Sequence, residues 1–483
     1  MSQSIYIILL ASVQSLSYFP LQFFKGSVTM ALMVSISGIR GIVGESLTPG
    51  LVVKYAAAFA EYCNRGTIII GRDGRITGSS ITHIVSSTLL QMGCNVVAVG
   101  VCPTPTVALA VEKMNAAGGI AVTASHNPVQ WNGLKFFAPG GMFLNGDENK
   151  KFWQIADRGN FTYVPWNKQG NYTADSSHID NHINSILSLP YIHREKIRKR
   201  GLKVVVDCVN AAGGVIVPKL LREFGCDVIE MNCDVSGIFS HTPEPIPENL
   251  GDLAKRVIAE KADVGIAVDP DVDRLVFIDE QGRPFVEEYT IASVVKFVLN
   301  AEKKLGRHNH TVVVNLSTTR AVDDIAAEYG AHVVRTPVGE INVASKMKAL
   351  HSVIGGEGSG GVILPEVHYG RDAVVGIGLF LQLLVDFGGK TSDLKSSLPQ
   401  YTIVKDKIDL GSLKPDVILH ALHEKYSKTE KTNMDDGLKI DFTSSWVHLR
   451  KSNTEPIIRV IAEAQSREEA AALVQKFKKE IGS

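Results

Sequence analysis

A serine and a histidine stand side by side where an apolar run ends, in the segment TASHNP at residues 123–128. The pair Ser125-His126 suggests a hydrolase in which the imidazole activates the serine. Two observations weigh against this interpretation. Neighbouring side chains on an extended chain point to opposite sides, and the segment lacks the G-x-S-x-G pattern of α/β-hydrolase nucleophiles. A serine that simply caps the following turn is a further alternative.

Three aspartates alternate with other residues in a second segment, DPDVDR at residues 269–274. On an extended chain Asp269, Asp271 and Asp273 project toward one point, where their charges repel unless a cation lies among them. Oxygen ligands without histidine or cysteine favour Mg²⁺ over zinc. An EF-hand is a poor alternative, because Arg274 replaces the glycine that its turn requires. A solvated acidic turn is the plainer alternative.

Two further segments suit a sugar phosphate. The segment GGEGSGG at residues 355–361 places Glu357 and Ser359 on a glycine-bared backbone, and both side chains suit neighbouring sugar hydroxyls. The segment RKSNT at residues 450–454, with Arg459 beyond it, suits a phosphate, which arginine can bind through two hydrogen bonds. The alternatives are a flexible glycine turn and a solvated basic turn.

The first three segments each follow a repeated pattern of strands and helices. Three times, a β-rich run leads through a polar turn to a helix-like stretch that ends at a glycine before another strand; these glycines are Gly93, Gly225 and Gly330. The order predicts three parallel β-α-β units. Because ligands of open α/β sheets bind beyond the carboxyl ends of strands, the three polar loops are predicted to share one cleft. After about residue 400, alternating strands and two helices predict a small α+β domain.

Composition narrows the class of protein. The 483 residues are 45% apolar and 21% charged, which is typical of a globular protein with several domains. Lys+Arg and Asp+Glu both number 50, which argues against binding to nucleic acid or a membrane surface. The six scattered cysteines are typical of reduced thiols in a cytoplasmic protein. We expect residues 1–33 to be a disordered extension or the product of an upstream start codon.

The segments TASHNP, DPDVDR, GGEGSGG and RKSNTEPIIR, in this order and spacing, resemble those of the α-D-phosphohexomutase family. The family includes phosphoglucomutases, phosphomannomutases, phosphoglucosamine mutases and phosphoacetylglucosamine mutases. The resemblance extends from about residue 35 to the C-terminus. It implies a heart-shaped architecture of three tandem α/β domains of similar topology with mixed sheets, followed by a C-terminal α+β domain. The expected domains span residues 34–178, 179–283, 284–399 and 400–483.

The resemblance also implies a role for each candidate residue. Hexose 6-phosphate and hexose 1-phosphate would interconvert through a phosphoserine enzyme and a sugar 1,6-bisphosphate, which also serves as activator. One Mg²⁺ per subunit would be held by the phosphorylated Ser125 with Asp269, Asp271 and Asp273. The other catalytic residues would be Lys135, the first choice for proton transfer, with Arg40, His126 and Arg274. The substrate would contact Gly339, Glu340, Glu357, Ser359, Arg450, Ser452, Asn453, Thr454 and Arg459.

Substrate choice follows from finer details of the resemblance. The GGEGxGG form resembles glucosamine-type mutases, whereas many family members carry a histidine at the position of Gly361. A negative charge at Glu340 would favour an amino sugar, so phosphoglucosamine mutase is the first prediction. Asn453 is common in mannose and glucose mutases, and phosphomannomutase/phosphoglucomutase is the alternative. A non-catalytic sugar-phosphate sensor is remote, because Ser125 and the aspartates are retained. We expect a cytoplasmic monomer or homodimer that binds small sugar phosphates but neither nucleic acid nor membranes.

Overall fold

The chain forms four β-sheets one after another, as seen in a computed structural model that describes residues 32–308, 310–410, 414–451 and 457–482. Three sheets are mixed and accompanied by helices, and the fourth is antiparallel, which confirms the predicted fold class. The expectation for the N-terminal extension falls almost entirely outside these ranges, although Met33 already belongs to the first strand. No helix in the described ranges is both long enough and apolar enough to cross a membrane.

The first sheet has seven strands in the spatial order β1-β2-β6-β5-β3-β4-β7. These strands are β1 (Met33–Ser35), β2 (Gly38–Ile42), β3 (Ile68–Arg72), β4 (Val96–Val101), β5 (Gly118–Val122), β6 (Trp131–Phe137) and β7 (Tyr172–Ala174). The helices are α1 (Pro49–Tyr62), α2 (Gly78–Gln91), α3 (Thr104–Lys113) and α4 (Gly146–Arg158). Strand β3 runs parallel to β4 and β5, whereas β6 runs antiparallel to both of its neighbours, β2 and β5. The β3 isoleucines 68–70 are fully buried, as helices covering both faces of a parallel strand require.

The second and third sheets repeat one topology. The second sheet has the order β11-β10-β8-β9 and the third β13-β12-β14-β15, each with three parallel strands and one antiparallel edge strand. The strands are β8 (Lys203–Asp207), β9 (Asp227–Met231), β10 (Val264–Val268), β11 (Leu275–Asp279), β12 (Thr311–Asn315), β13 (His332–Thr336), β14 (Ile354–Glu357) and β15 (Gly361–Ile363). The helices are α5 (His178–Leu187), α6 (Arg194–Arg200), α7 (Gly213–Glu223), α8 (Gly251–Glu260), α9 (Glu287–Lys304), α10 (Ala321–Glu328), α11 (Glu340–Leu350), α12 (Ala373–Phe387) and α13 (Thr391–Ser396).

The fourth sheet has five antiparallel strands in the order β16-β20-β19-β18-β17. They are β16 (Thr402–Asp409), β17 (Lys431–Asn433), β18 (Leu438–Asp441), β19 (Trp446–Lys451) and β20 (Ile457–Ala464), with α14 (Pro415–Tyr426) and α15 (Arg467–Gly482). This unit has a hydrophobic core of its own.

The glycines that the sequence places after helices adopt the backbone conformation expected of helix ends. Gly93, Gly225 and Gly330 have φ angles of +91°, +76° and +66°, in the left-handed region that glycine enters without steric cost. Each is followed by the strand that the repeat predicts, namely β4, β9 or β13. The repeated β-α-β pattern in the sequence is therefore a real structural repeat.

Helix α12 lies in a core shared by the second and third sheets. Every residue from Ala373 to Val385 is buried, so the helix is apolar on all sides, as a helix enclosed by protein must be. Phe380 of α12 stacks on Phe277 of the second sheet, with 3.6 Å between the ring centroids. Packing around α12 therefore fixes the second and third sheets relative to each other.

A buried polar network ties the start of α12 to the first domain. Asp372 caps α12 by accepting hydrogen bonds from the backbone N–H groups of Val374 and Val375. Its Oδ2 atom also lies 2.7 Å from Nε2 of His182 on α5 and 3.0 Å from Nε2 of His368. The other ring nitrogen of His182 lies 2.9 Å from the hydroxyl of Thr106 on α3.

We expect Asp372→Ala to lower the free energy of unfolding by about 3 kcal/mol, because it leaves two buried imidazoles without their charged acceptor and removes a helix cap. Calorimetry should show a lower unfolding temperature for the transition that contains α12. The control is Asp252→Ala, which removes an exposed partner of Lys255 and should leave the transition unchanged. An unaltered transition in Asp372→Ala would show that the network is not stabilising.

Candidate functional site

Ser125 occupies a tight turn between β5 and β6 and is almost fully buried. Its φ angle is +49°, so the chain is not extended here and the sequence-based argument that the neighbouring side chains point apart is wrong. The Ser125 hydroxyl lies 3.3 Å from Nδ1 of His126 and donates a hydrogen bond of 3.0 Å to Oδ2 of Asp269. The serine thus faces the aspartate segment as well as the histidine.

Arg75 stabilises this turn through hydrogen bonds to its backbone. Its side chain is fully buried and donates to four backbone carbonyls of the turn, at distances of 2.6–2.8 Å. These carbonyls belong to Ser125, Asn127, Pro128 and Trp131. The guanidinium is itself held by Asp73, whose Oδ2 lies 3.1 Å from Nε. The planar, five-donor guanidinium suits several carbonyls at once, which an ammonium does not.

The three aspartates converge at the end of β10, but through a turn and not along an extended strand. Val272 has a φ angle of +60°, and its N–H donates to the Asp269 carbonyl. This turn corrects the expected extended geometry, since alternation of side chains is not what brings Asp269, Asp271 and Asp273 together. One oxygen from each carboxylate lies within 4.8 Å of the others, and all three side chains are buried. The predicted cluster is therefore present.

Cations from two other sheets balance the aspartate charges. Lys135 of β6 donates to Asp271 at 2.6 Å and to Asp273 at 2.9 Å, and Arg371 donates to Asp273 at 2.7 Å. Burial alone would lower the pKa of Lys135, but the two carboxylates raise it above the usual value. Among the described residues, no lysine or arginine side chain is hydrogen-bonded to Asp269. Burial, reinforced by the other two aspartates, raises its pKa well above the usual value, although the charge of Arg274 opposes the shift.

The donor set fits a hard divalent cation. Among the described residues, Oδ1 of Asp271 and Oδ1 of Asp273 are buried carboxylate oxygens without a hydrogen-bond partner. A buried carboxylate oxygen that lacks a partner is unfavourable unless a cation completes it. Three carboxylates beside a serine hydroxyl, without histidine or cysteine, match the ligands that Mg²⁺ takes. The expected ligands Asp269, Asp271, Asp273 and Ser125 are thus brought together.

The third-sheet loop contributes the residues expected to bind the sugar. Glu357 is buried at the end of β14, and its Oε1 accepts from the Asn315 side chain at 2.8 Å and from the Gly339 N–H at 2.9 Å. Ser359 is partly exposed in the same loop. Glu340 lies nearby at the first turn of α11, and burial raises its pKa to about 7.

These loops surround one cavity of about 440 Å³. Its walls contain most of the predicted site residues: Arg40, His126, Lys135, Arg274, Gly339, Glu340, Glu357, Ser359, Arg450 and Arg459. Ser125 and the three aspartates lie buried beside this cavity and are not part of its lining. The fourth sheet supplies Arg450 and Arg459, which face the loops of the other three sheets. The predicted contacts Ser452, Asn453 and Thr454 lie outside the described residues.

Two arginines line the cavity near Ser125, and one of them is paired with a glutamate. Arg40 on β2 donates to the Asn127 side chain at 3.2 Å, and Arg274 lies 3.0 Å from a carboxylate oxygen of Glu244. Burial, followed by the charges of Arg274 and Arg40, lowers the pKa of His126 to about 3. The imidazole is therefore neutral near pH 7. This arrangement suits an anionic group next to Ser125.

The residues of this site that sequence reasoning missed include two arginines and two glutamates. Arg75 and Arg371 hold its loops, while Glu244 and Glu288 line the cavity. Burial raises the pKa of Glu288 to about 8. The only local sequence signal is for Arg75, which ends the glycine-flanked segment GRDGR at residues 71–75. The other three residues, Arg371, Glu244 and Glu288, join parts of the site that are distant in the chain. No local sequence pattern indicates such contacts.

Comparison with known proteins gives one consistent result. Domain families described as phosphoglucomutase/phosphomannomutase, alpha/beta/alpha domains I, II and III and C-terminal domain, match residues 33–163, 180–282, 288–401 and 414–480. A probable phosphoglucosamine mutase from Methanopyrus kandleri is 36% identical, over 91% of this chain and 96% of that protein. A phosphoglucomutase/phosphomannomutase from Thermococcus kodakarensis is also 36% identical, with the same coverage. The crystal structure of a phosphoglucomutase/phosphomannomutase family protein from Burkholderia thailandensis superposes with a TM-score of 0.80 and 25% identity, over 93% of this chain and 98% of that one.

We expect Arg75→Lys to loosen the Ser125 turn, because a lysine cannot hold four carbonyls at once. Hydrogen exchange of the backbone amides in residues 123–131, read by mass spectrometry, should become about tenfold faster or more. Arg72→Lys is the matched control from the same segment, since Arg72 makes one side-chain hydrogen bond, to the Asp73 carbonyl. Equal exchange in the two variants would contradict the role of Arg75.

Proposed function

The chain belongs to the phosphoglucomutase/phosphomannomutase family of phosphohexomutases, and we propose that it interconverts hexose 6-phosphates and hexose 1-phosphates through a phosphorylated Ser125. Membership makes the protein an isomerase of this family. The observation that carries the proposal is the buried contact between the Ser125 hydroxyl and Asp269, inside a cluster of three aspartates. Such a serine is suited to carry a phosphoryl group beside a metal ion. His126 Nδ1 lies 3.3 Å from the hydroxyl, as a hydrolase would also require, but the aspartate cluster and the family membership favour phosphoryl transfer.

The reaction proceeds in two half-reactions. First, a hydroxyl oxygen of the bound sugar monophosphate attacks the phosphorus of phosphorylated Ser125, and the bond from phosphorus to Ser125 Oγ breaks. The hydroxyl proton passes to a nearby base. Lys135, the first choice for proton transfer from the sequence, is held as an ammonium by Asp271 and Asp273 and can only donate a proton. The neutral imidazole of His126 is therefore the better acceptor, ahead of Arg40. In the second half-reaction Ser125 Oγ attacks the other phosphate of the sugar 1,6-bisphosphate, and the released sugar oxygen takes up a proton. The bisphosphate has to turn over between the two steps.

Asp269, Asp271 and Asp273 would hold one Mg²⁺ per subunit together with the phosphate on Ser125. When bound, this ion neutralises charge on the phosphoryl oxygens during transfer. Arg274 adds a further positive charge at the cavity wall. The unpartnered oxygens of Asp271 and Asp273 support this assignment.

Arg450 and Arg459 would bind the phosphate that is not reacting. They lie on β19 and β20 and line the cavity, and arginine pairs well with phosphate. The predicted contacts Ser452, Asn453 and Thr454 follow Arg450 directly in the chain. Glu357 and Ser359 would accept hydrogen bonds from sugar hydroxyls between the two phosphates.

The preferred substrate is proposed to be glucosamine phosphate, which would make the enzyme a phosphoglucosamine mutase. Glu340 supports this choice, because its carboxyl group faces the cavity and can accept a hydrogen bond from a sugar ammonium. Relatives with both kinds of name match equally well, so phosphomannomutase/phosphoglucomutase is the second candidate. A non-catalytic sugar-phosphate sensor would not need the serine and aspartate cluster, all of which is retained.

We expect the purified protein to carry one phosphate, located on Ser125 by mass spectrometry of its peptides. Ser125→Ala should lose the phosphate and lower kcat by more than about a thousandfold, since it removes the group that carries the phosphoryl. A glucose 1,6-bisphosphate supplement should restore wild-type protein that lacks phosphate but not the variant. Full mutase activity in Ser125→Ala would refute the proposed mechanism.

Comparison of kcat/KM for glucosamine 6-phosphate, glucose 1-phosphate and mannose 1-phosphate, with Mg²⁺ present, tests the substrate. We expect glucosamine 6-phosphate to give the highest value, because its ammonium can pair with Glu340. If glucosamine 6-phosphate is the poorest of the three, the proposed sugar is wrong and the second candidate replaces it.

Asp271→Asn is expected to weaken Mg²⁺ binding by more than about tenfold, because it replaces a charged oxygen ligand by a neutral amide. Isothermal titration calorimetry of the protein after treatment with EDTA measures this directly. The control is Asp234→Asn, which changes an exposed aspartate far along the chain from the cluster. Equal Mg²⁺ affinities in both variants would place the ion elsewhere.

A further inference from the structure

Gly361 leaves a space that another side chain fills. A methyl group on its Cα would overlap Cδ of Arg371 and lie 3.0 Å from Cγ. The φ angle of Gly361 is not in the left-handed region, so the backbone itself does not require glycine here. Residue 361 therefore has to be glycine because the stem of Arg371 passes directly over it.

The head of Arg371 joins three loops of the cavity. Its Nη1 donates to Glu357 Oε2 at 2.9 Å, its Nη2 to Asp273 Oδ2 at 2.7 Å and its Nε to Glu340 Oε2 at 3.1 Å. The guanidinium is close to nine-tenths buried. One cation is thus shared by three carboxylates, from the aspartate turn, the end of β14 and the start of α11, and the planar fork of an arginine is what makes this geometry possible.

Glu340 depends on Arg371 more than the other two carboxylates do. Its Oε1 accepts from the Arg371 backbone N–H at 3.0 Å, and its Oε2 accepts from the side chain. Glu357 has further partners in Asn315 and Gly339, and Asp273 has Lys135. Among the described residues, Arg371 supplies every hydrogen bond recorded for the Glu340 carboxylate.

We propose that Arg371 sets the sugar selectivity of the enzyme by filling the space over Gly361 and holding Glu340 and Glu357 in the positions from which they contact the sugar. The inference rests on the proposed function and deepens it. Arg371 is a positioning residue, because it acts on the substrate through the two glutamates. The positive charge of its guanidinium also opposes the effect of burial, which favours the neutral form of Glu340.

The test compares two sugars that differ only at C2, glucosamine 6-phosphate and glucose 6-phosphate, in wild type, Arg371→Ala, Gly361→Ala and the double variant. In Arg371→Ala the ratio of the two kcat/KM values should fall about tenfold or more, the effect of one lost charge-assisted hydrogen bond. Gly361→Ala should give a similar fall although Arg371 is still present, because the methyl group displaces it. The double variant should be no worse than Arg371→Ala.

Three control variants distinguish a positioning role of Arg371 from general damage to the site. Arg371→Lys keeps the charge but cannot bridge three carboxylates, so its ratio should recover only partly. Gly146→Ala has open space around its Cβ position and should leave the ratio unchanged. Glu340→Gln, which retains the shape but not the charge, should reproduce the loss seen in Arg371→Ala.

Two results would overturn the inference: an equal loss of kcat/KM for both sugars in Arg371→Ala, or additive losses in the double variant. A wild type that prefers mannose 1-phosphate refutes the proposed sugar and not the role of Arg371. The same four proteins are then compared by their ratio for glucose 1-phosphate over mannose 1-phosphate. A non-additive change in that ratio upholds the role of Arg371, and an unchanged ratio rejects it.

Discussion

Three aspartates buried at one point are the constraint on which the rest of the structure depends. Carboxylates at such distances repel, and burial makes that repulsion stronger than it is in water. The chain offsets it with Lys135 from the first sheet and Arg371 from the third, while the hydroxyl of Thr104 donates to Asp271 at 2.7 Å. The ion pairs that assemble the site are therefore also the contacts that join the three sheets.

This arrangement explains why the loops interlock so closely. The Leu275 N–H donates to the Gly360 carbonyl, and the Ala373 N–H donates to the Val272 carbonyl. Backbone hydrogen bonds therefore connect the polar loop of the second sheet with that of the third. Helix α12 continues directly from this contact into the core between the two sheets. Removal of one cation from the cluster would leave a buried carboxylate uncompensated, which is far more costly than the loss of a surface ion pair.

The fourth sheet is attached differently. It has a hydrophobic core of its own. Among the described residues, individual polar contacts connect it to the unit of the third sheet. Asp436 accepts from the Val338 N–H at 2.9 Å, His448 lies 2.8 Å from the Ser317 hydroxyl, and Glu463 accepts from the Arg320 N–H at 2.9 Å. In the described part of the chain, Lys405 also pairs with Glu287 at 3.0 Å. The two ends of a bound sugar bisphosphate would thus rest on parts of the protein with different attachment. A unit held by polar contacts of this kind can shift more readily than one sharing a hydrophobic core.

Residue type and spacing were enough to predict the three repeats and the aspartate cluster. The glycines after helices and the β-branched runs carry local information, and both take the predicted roles. The contacts of Arg75 and Arg371 were not predictable, because Arg75 reaches carbonyls that are 50 to 56 residues away in the chain and Arg371 reaches carboxylates that are 14 to 98 residues away. The backbone at Ser125 and Val272 was predicted as extended and turned out left-handed, since tertiary contacts at these positions override local preference.

That left-handed backbone has a consequence for how the protein evolves. Ser125 and Val272 carry side chains at φ angles of +49° and +60°, where a non-glycine residue costs about 1–2 kcal/mol. Glycine would relieve this strain at Ser125, so selection for folding alone would favour it there, whereas at Val272 it would also remove a side chain buried in the hydrophobic core. At Ser125 a glycine would abolish the proposed phosphoryl carrier. At this turn, catalysis and folding stability therefore favour different residues. A stabilising substitution of Ser125 would be removed by selection, because it would abolish the proposed activity.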